Sequence, residues 1–474
     1  MTAVALDGTA IERFAAIVGA RHALVDDTDI APYLVERRGL FRGRSPLVLR
    51  PGTTAEVAAI VTLANELGVP LVPQGGNTGL VGGQVPDDTG LQVVVSTARL
   101  DRIREIDVEG NTITVEAGVV LDRVHRAADE ADRLFPLSLG SEGSCRIGGN
   151  LSTNAGGTAV LAYGNARDLV LGLEAVLPTG EVWDGLRKLR KDNTGYDLKQ
   201  LFIGAEGTLG IITAAVLKLF PRPAAREVAF VGLGSPEAAL ALLNRMKASA
   251  GANLTGFELI GFNALDFAVR HLPGARAPLA GTHPWTVLVE VSSGRSGEEA
   301  RDLIEAVLAA AIDDGIVEDA TIAESLAQAQ SFWHLRHGIS EAQRPEGGSI
   351  KHDVSVPVAA VPEFLARADA AAEAVVPGCR PVPFGHMGDG NIHYNVSQPV
   401  GADCAAFLGR WHAMNAAVHA VVADLGGSIS AEHGIGQLKR DELAAVKSPV
   451  EMAMMRRLKA AFDPNGILNP GKVL

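Results

Sequence analysis

The chain has 474 residues, enough for two or three domains, and its 47% apolar and 20% charged composition is that of an ordinary globular protein. A net charge of −13 argues against a nucleic-acid-binding protein. Three cysteines, Cys145, Cys379 and Cys404, are too far apart for a disulfide framework or a cysteine metal cluster, so a reducing, cytoplasmic location is expected.

The first 19 residues predict an amphipathic helix rather than a targeting signal. Asp7, Glu12 and Arg13 fall where a signal peptide needs a basic start and then a continuous apolar run. No uninterrupted apolar stretch of about 18 residues follows, so no membrane span is expected. The nearest one, 405–424, is interrupted by an arginine and two histidines, and a helix is predicted over 405–425.

A strand, a helix and a second strand lead into the first glycine-rich loop. Residues 45–50 predict the first strand, and Thr54 is expected to cap a helix that stops at Gly68. The second strand, 69–73, runs into 74–83, where five glycines leave backbone N–H groups open to wrap a diphosphate. The alternative, a mobile surface loop, is disfavoured because apolar strands flank the segment. The spacing matches neither the Rossmann fingerprint nor a P-loop.

Two further small-residue regions are candidates to bind the same phosphate-bearing ligand. The first, 136–157, adds hydroxyl and amide donors to a glycine backbone, and the second combines 193–197 with 204–212. Short strands alternate with turns between these regions, as at 173–177 and the turn 178–181. This alternation predicts an α+β domain rather than a doubly wound one.

Four segments together resemble flavoproteins of the vanillyl-alcohol-oxidase, or p-cresol-methylhydroxylase, type. Residues 73–83, 147–157 and 204–212 are similar to the three FAD-contacting segments of that family, and 462–472 resembles the tail that closes over the flavin. The resemblance runs from about residue 45 to the end and implies bound FAD. No histidine occurs in the first two segments, so non-covalent FAD is expected. The residues that the resemblance assigns to FAD are Pro73, Gln74, Gly75, Gly76, Asn77, Thr78, Gly79, Leu80, Ser141, Ser144, Gly148, Gly149, Asn154, Gly156, Glu206, Gly207, Gly210, Ile211, Ile212 and Asn469.

The resemblance also implies a domain order for this α+β chain. A two-part FAD-binding domain over 1–222, with its core at about 45–222, precedes an α+β substrate-binding cap over 223–430. The C-terminal segment 431–474 returns to close over the flavin. Within the cap, strands are predicted over 227–233 and 285–291 and helices over 235–250 and 298–313.

The stretch 383–396 holds two histidines, His386 and His393, on either side of a turn of small residues. Such a turn can fold the chain back and bring the two imidazoles together. After the turn, 392–396 alternates as a strand does, so His393 and Asn395 point to one face. These side chains are a candidate metal site, and a hydrogen-bonded pair of core histidines is the alternative.

An adjacent pair, Glu432 and His433, lies between small residues further along the chain. Adjacent side chains diverge in an extended segment, so the two are expected to have different roles. Glu432 with His386 and His393 makes a two-histidine, one-carboxylate set with open positions, as expected of a catalytic ion. In the resembling family the corresponding residues bind a divalent metal, often zinc, and the next histidine acts as base.

Arg336, Ser340 and Lys351 are candidate donors to a carboxylate. Arg336 and Ser340 lie four apart on a predicted helix and share a face, and Lys351 begins a short predicted strand, 351–355. The alternative is a solvated Arg336 paired with Glu341. The pattern is similar to that of the D-2-hydroxyglutarate dehydrogenases, in which these positions contact the substrate carboxylates. Ser340 stands where threonine is usual, which keeps the hydroxyl and loses a methyl group.

Together these resemblances imply FAD- and metal-dependent oxidation of a D-2-hydroxy acid, with D-2-hydroxyglutarate and 2-oxoglutarate as the expected substrate and product. His433 would accept the hydroxyl proton, with His433 and Asn395 binding the substrate and a hydride passing from C2 to flavin. An electron-transfer flavoprotein and a quinone are the candidate electron acceptors, and a homodimer is expected by analogy only. The alternatives are a D-lactate dehydrogenase, the flavin subunit of a glycolate oxidase and, outside this class, a metal-dependent hydrolase.

Overall fold

The computed structural model describes every residue from Leu6 to Leu474. These residues form two compact units, each with its own core. Unit 1 consists of 6–156, 165–222 and 432–474, and unit 2 consists of 157–164 and 223–431. The first predicted helix is present from Gly8, and the residues before Leu6 lie outside the described part of the chain.

Unit 1 is built on two sheets. Its strands are β1 (Ala23–Leu24), β2 (Val48–Leu49), β3 (Leu71–Gln74), β4 (Val93–Ser96), β5 (Ile103–Asp107), β6 (Thr112–Glu116), β7 (Arg133–Leu134), β8 (Val170–Val176), β9 (Val182–Gly185), β10 (Ile211–Lys218) and β11 (Phe220–Pro221). One sheet has the order β1-β2-β4-β3, with β2, β4 and β3 parallel, and the other is antiparallel with the order β5-β6-β10-β8-β9. Strands β7 and β11 pair separately.

Helices are numbered along the whole chain. Those of unit 1 are α1 (Gly8–Val18), α2 (Asp27–Ile30), α3 (Thr54–Leu67), α4 (Leu121–Glu130), α5 (Ile147–Ser152), α7 (Lys199–Phe202), α15 (Arg440–Val446) and α16 (Pro449–Phe462). Helices α1 and α3 bury their apolar faces against the parallel sheet.

Helix α3 begins one residue earlier than the sequence predicted. Thr53, not Thr54, is the N-cap, and its hydroxyl oxygen accepts a hydrogen bond from the backbone N–H of Glu56 at 3.1 Å. The Thr54 hydroxyl instead donates to the carboxylate of Glu174 at 2.7 Å. The helix ends before Gly68 as predicted.

Unit 2 is one antiparallel sheet covered by helices on both faces. Its strands are β12 (Ala225–Leu233), β13 (Leu254–Gly261), β14 (Trp285–Ser293), β15 (Asp319–Ile322), β16 (Ser349–Ile350), β17 (Asp353–Ser355), β18 (Arg380–His386) and β19 (Asn391–Ser397). The order is β15-β12-β14-β13-β18-β19-β16, with β17 also paired to β19. The helices are α6 (Val160–Tyr163), α8 (Pro236–Ala250), α9 (Phe262–His271), α10 (Gly297–Asp313), α11 (Leu326–Ala342), α12 (Val361–Val375), α13 (Cys404–Leu408) and α14 (Trp411–Asp424). One face packs on α8, α10, α12 and α14 and the other on α9 and α11, which confirms an α+β fold.

Three sequence predictions differ from the structure of unit 2. The single helix predicted over 405–425 is two helices, because α13 ends at Gly409, a poor helix former, and α14 begins at Trp411. Residues 157–164, which the sequence placed with 1–222, belong to unit 2 because Leu161 of α6 packs against its core. Lys351 lies just before β17 rather than inside it.

The sequence also predicted unpaired cysteines and no membrane-spanning segment. All three cysteines are free thiols, as expected from their spacing. From Leu6 onward, the helices are too short or too polar to span a bilayer.

Candidate functional site

An open cleft in unit 1 gathers the glycine-rich segments. Its empty space is about 840 Å³, a figure that includes the open mouth. The residues assigned to FAD that line it are Pro73, Gln74, Gly75, Gly76, Asn77, Thr78, Gly79, Gly148, Gly149, Glu206, Gly207, Gly210, Ile211 and Ile212. Those outside the lining are Leu80, Ser141, Ser144, Asn154, Gly156 and Asn469. Lining residues that the sequence did not single out include Gln84, Thr97, Arg146 and Asn150.

The first glycine segment, at the end of β3, is held by specific contacts. A Cβ atom at Gly76 would collide with the carbonyl oxygen of Ser144, so only glycine lets the two backbones approach this closely. Asn77 adopts a left-handed backbone with φ of 54°, and its Nδ2 donates to the carbonyls of Pro32 at 3.0 Å and Val35 at 2.9 Å. The segment is therefore a fixed lining of backbone amides rather than a mobile loop.

The C-terminal run packs beside the same segment. The N–H of Leu71 donates to the carbonyl of Ile467 at 2.7 Å, and the N–H of Asn469 donates to the carbonyl of Leu71 at 2.8 Å. The Asn469 side chain donates to the carbonyls of Gly83 at 3.0 Å and Glu206 at 2.7 Å. Asn469 therefore connects segments of the cleft wall by hydrogen bonds, but it does not line the cleft itself.

His433 lines this cleft beside the glycine segments. Its Nε2 atom lies 3.7 Å from Oε1 of Glu432. The expectation that these adjacent side chains diverge is therefore wrong, because the segment from 432 to 436 is bent rather than extended. A histidine at the wall of a cofactor cleft is positioned to exchange protons with a bound molecule.

The predicted histidine hairpin is present in unit 2. Strands β18 and β19 pair with His386 opposite Asn391 and Phe384 opposite His393, so both imidazoles are on one face of the sheet. Their ring centroids are 6.0 Å apart. This confirms that the glycine-rich turn brings the two imidazoles together.

Each of these imidazoles has a buried carboxylate at Nδ1. Glu258 Oε1 lies 2.6 Å from His386 Nδ1, and Asp353 Oδ1 lies 3.9 Å from His393 Nδ1. The carboxylates are 1% and 2% exposed, respectively. The hydrogen bond with Glu258 fixes the orientation of the His386 ring, whereas 3.9 Å is too long for a hydrogen bond between Asp353 and His393. Two imidazoles on one face of the sheet are a donor pair of the kind that divalent ions such as zinc bind in proteins. Glu432 lies in the other unit, so the three-ligand set stays a prediction.

Glu258 also forms a hydrogen-bonded ion pair with Arg336. Its Oε2 accepts a hydrogen bond from Arg336 Nε at 2.7 Å, and the guanidinium lies over the ring of Phe384 at 5.0 Å. Burial alone would raise the pKa of Glu258, but Arg336 and His386 outweigh it and lower the pKa to about 2. The sequence analysis missed Glu258, although a lone glutamate in an apolar strand is itself a signal, because buried charges are normally paired.

The interpretation of Arg336 as a solvated partner of Glu341 is wrong. Arg336 is buried, and Glu341 pairs with Arg344 at 3.0 Å. Within the described part of the chain, Arg336 has no other hydrogen bond besides the one that Nε makes to Glu258. The N–H donors of its two terminal amino groups are therefore not used within the described part of the chain.

The other predicted substrate residues cluster around the end of α11. Lys351 Nζ donates to the backbone carbonyl of Ser340 at 3.4 Å, so the structure brings these two residues together. Asn395 is buried, and its Nδ2 donates to Oε1 of Gln343 at 3.1 Å. Gln343, which the sequence analysis did not single out, thus fixes the orientation of the Asn395 amide.

Comparisons with known proteins agree with this architecture. The family described as FAD binding domain matches residues 45–185, and the family described as FAD linked oxidases, C-terminal domain, matches 222–473. Mitochondrial D-2-hydroxyglutarate dehydrogenase of Arabidopsis thaliana is 38% identical over 471 residues, covering 99% of this chain and 82% of the relative. The enzyme of the same name from Bos taurus is 39% identical, covering 99% and 83%. A substrate-bound structure of p-cresol methylhydroxylase superposes with a TM-score of 0.78 at 17% identity, covering 99% of this chain and 97% of that one, which confirms the expected fold.

Proposed function

Since this chain belongs to the FAD-linked oxidase family, with D-2-hydroxyglutarate dehydrogenases as full-length relatives, we propose that it oxidises D-2-hydroxyglutarate to 2-oxoglutarate. The observation that carries this proposal is the cleft of unit 1, which gathers the glycine segments and His433 around one space. Backbone amides suit the diphosphate of FAD, and an imidazole at the wall suits removal of a hydroxyl proton.

Different residues of the chain have different roles in the proposed reaction. FAD bound in the cleft supplies the hydride acceptor, and a divalent cation supplies a Lewis acid that favours loss of a hydroxyl proton. His433 accepts the proton of the C2 hydroxyl, because an imidazole nitrogen is the base that enzymes use most often for such a step. Arg336 and Lys351 pair with the distal carboxylate of the substrate, to which Ser340 contributes its hydroxyl. Asn395, oriented by Gln343, positions the substrate.

We further propose zinc as the divalent ion, with His386, His393 and Glu432 as its ligands. The carboxylate of Glu258 at Nδ1 of His386 supports this proposal, since such hydrogen-bonded partners orient metal-binding imidazoles. A set of two nitrogens and one carboxylate leaves positions for substrate oxygens, as a catalytic zinc site requires.

The cellular context is proposed from the widely spaced cysteines, which favour a reducing compartment, and from analogy with related flavoproteins. An electron-transfer flavoprotein or a quinone takes the electrons of the reduced flavin, and the enzyme is a cytoplasmic homodimer.

The buried Arg336 and the nearby Lys351 favour a dicarboxylate over lactate or glycolate, since those substrates lack a second carboxylate to pair with two cations.

Anaerobic mixing of the purified flavoprotein with D-2-hydroxyglutarate tests the proposal. The visible absorbance of the oxidised flavin should bleach with the D-enantiomer and persist with the L-enantiomer. Prior treatment with EDTA should slow the bleaching, and added Zn²⁺ should restore it. Protein that carries no flavin contradicts the family-based function, whereas bleaching that EDTA leaves unchanged contradicts only the metal.

A further inference from the structure

Glu206 is a buried carboxylate in the wall of the flavin cleft, assigned above to FAD contact but to no step of the reaction. It is 9% exposed and has a φ of 51°, a left-handed conformation that glutamate rarely adopts. Its N–H donates to the carbonyl of Ser152 at 2.8 Å, and its own carbonyl accepts from Asn469 Nδ2 at 2.7 Å. Hydrogen bonds on both sides of the residue thus maintain an energetically unfavourable backbone conformation. Such conformations are common at functional sites, where the direction of a side chain matters.

The Glu206 carboxylate points at the segment that carries His433. Oε1 accepts from the N–H of Ile435 at 2.7 Å, and Oε2 accepts from the N–H of Gly436 at 2.8 Å. A Cβ atom at Gly434, where φ is 85°, would lie 2.8 Å from Oε1, so glycine there permits the close approach. One carboxylate therefore fixes two consecutive peptide groups that begin two residues after His433.

Only a carboxylate satisfies this geometry. Both of its oxygens accept hydrogen bonds, whereas a glutamine would present an NH₂ group to one of the two backbone N–H donors. Burial raises the pKa of Glu206 and outweighs the two N–H groups and the charge of Lys439, which act in the opposite direction. The acceptor role rests on geometry, because each carboxylate oxygen faces one backbone N–H donor.

We propose that Glu206 is a positioning residue for the reaction: by holding the backbone at Ile435 and Gly436, it fixes the place of His433 at the flavin cleft. This inference rests on the proposed function, in which His433 is the base. Misplacement of a reacting group by about 1 Å can cost roughly 100-fold in rate. The main loss on removing the Glu206 contacts should therefore be in kcat.

The variant Glu206→Gln tests this role, and Glu36→Gln is its matched control. Glu36 is also a buried glutamate of unit 1 whose two oxygens accept from two backbone N–H groups, those of Arg38 at 2.7 Å and Leu40 at 2.9 Å. The Glu206 variant should keep its FAD and its KM for D-2-hydroxyglutarate while kcat falls by about 100-fold. The control should lose comparable stability and keep kcat within about twofold.

A double-mutant cycle with His433→Asn separates positioning from general stability. If Glu206 acts through His433, adding Glu206→Gln to His433→Asn should change kcat by less than about twofold. A full 100-fold loss in that background, or loss of FAD from Glu206→Gln, overturns the inference. If Glu206→Gln does not fold, Glu206→Asp, which keeps two acceptor oxygens on a shorter stem, enters the same cycle. Wild-type protein that is inactive on D-2-hydroxyglutarate would instead refute the proposed function itself.

Discussion

At the scale of single residues, partners distant in sequence decide which side chains are available to a ligand. Arg336 could be assigned from the sequence to a helix face, but its partner Glu258 lies 78 residues away. The sequence shows only neighbours along the helix, and among those Glu341 is the nearest candidate partner for Arg336. The pairing of Glu258 with both Arg336 and His386 depends on β13, β18 and α11 packing together, which no local pattern reveals.

Lys351→Met tests the recognition of the distal carboxylate. A charge-assisted hydrogen bond is worth about 1.5–3 kcal/mol, so the KM for D-2-hydroxyglutarate should rise by at least about tenfold. The KM for D-lactate, which has no second carboxylate, should change by less than about twofold on the same reasoning. Steady-state kinetics on both substrates measures this, with the exposed Lys447→Met as control. Equal losses on the two substrates would remove Lys351 from carboxylate recognition.

At the scale of elements, periodic segments were predicted well and segments stabilised by distant contacts were not. The predicted helix 235–250 and strand 285–291 differ from α8 and β14 by two residues or fewer at their ends. Helix α5 was missed because its sequence, with two glycines and an asparagine, has low helix propensity. Backbone hydrogen bonds from Ile147 to Val119 at 3.0 Å and from Gly148 to Ala117 at 2.7 Å hold its start in place instead.

Glu346 links helix α9 to strand β18 of unit 2, and this link should make the stability of the folded state depend on pH in acid. Burial alone would raise the pKa of Glu346, but Arg380 of β18, His271 of α9 and Arg270 outweigh it and lower the pKa from 4.5 to about 2. A carboxylate whose pKa is lower in the folded state than in the unfolded state stabilises the folded state at pH values above its unfolded-state pKa. This contribution is lost as the pH falls towards the folded-state pKa.

Urea unfolding of wild-type protein and Glu346→Gln between pH 2 and 7 measures this contribution. The difference in unfolding free energy should be constant above about pH 5 and shrink as pH falls from about 4.5 towards 2. Glu341→Gln, an exposed glutamate near the end of α11, should show a small difference throughout. A Glu346 difference that does not vary with pH would contradict the link.

At the scale of the whole molecule, motif order in the sequence was enough to predict the fold and the cofactor. The glycine segments are separated by tens of residues, yet their order and composition match one family, and the cleft of unit 1 gathers them. The assignment of 157–164 to unit 2 could not be predicted, because it depends on α6 packing against β13. The role of Glu206 was equally hidden, since its partners Ile435 and Gly436 are 229 and 230 residues away.

The central claim is that this chain is an FAD-dependent dehydrogenase selective for a D-2-hydroxy dicarboxylate. Steady-state kcat/KM values for D-2-hydroxyglutarate, D-malate, D-lactate and glycolate, measured with one artificial electron acceptor, test it most directly. We expect the highest kcat/KM for D-2-hydroxyglutarate, since its second carboxylate can pair with the cations Arg336 and Lys351. A higher kcat/KM for D-lactate or glycolate would contradict the claim.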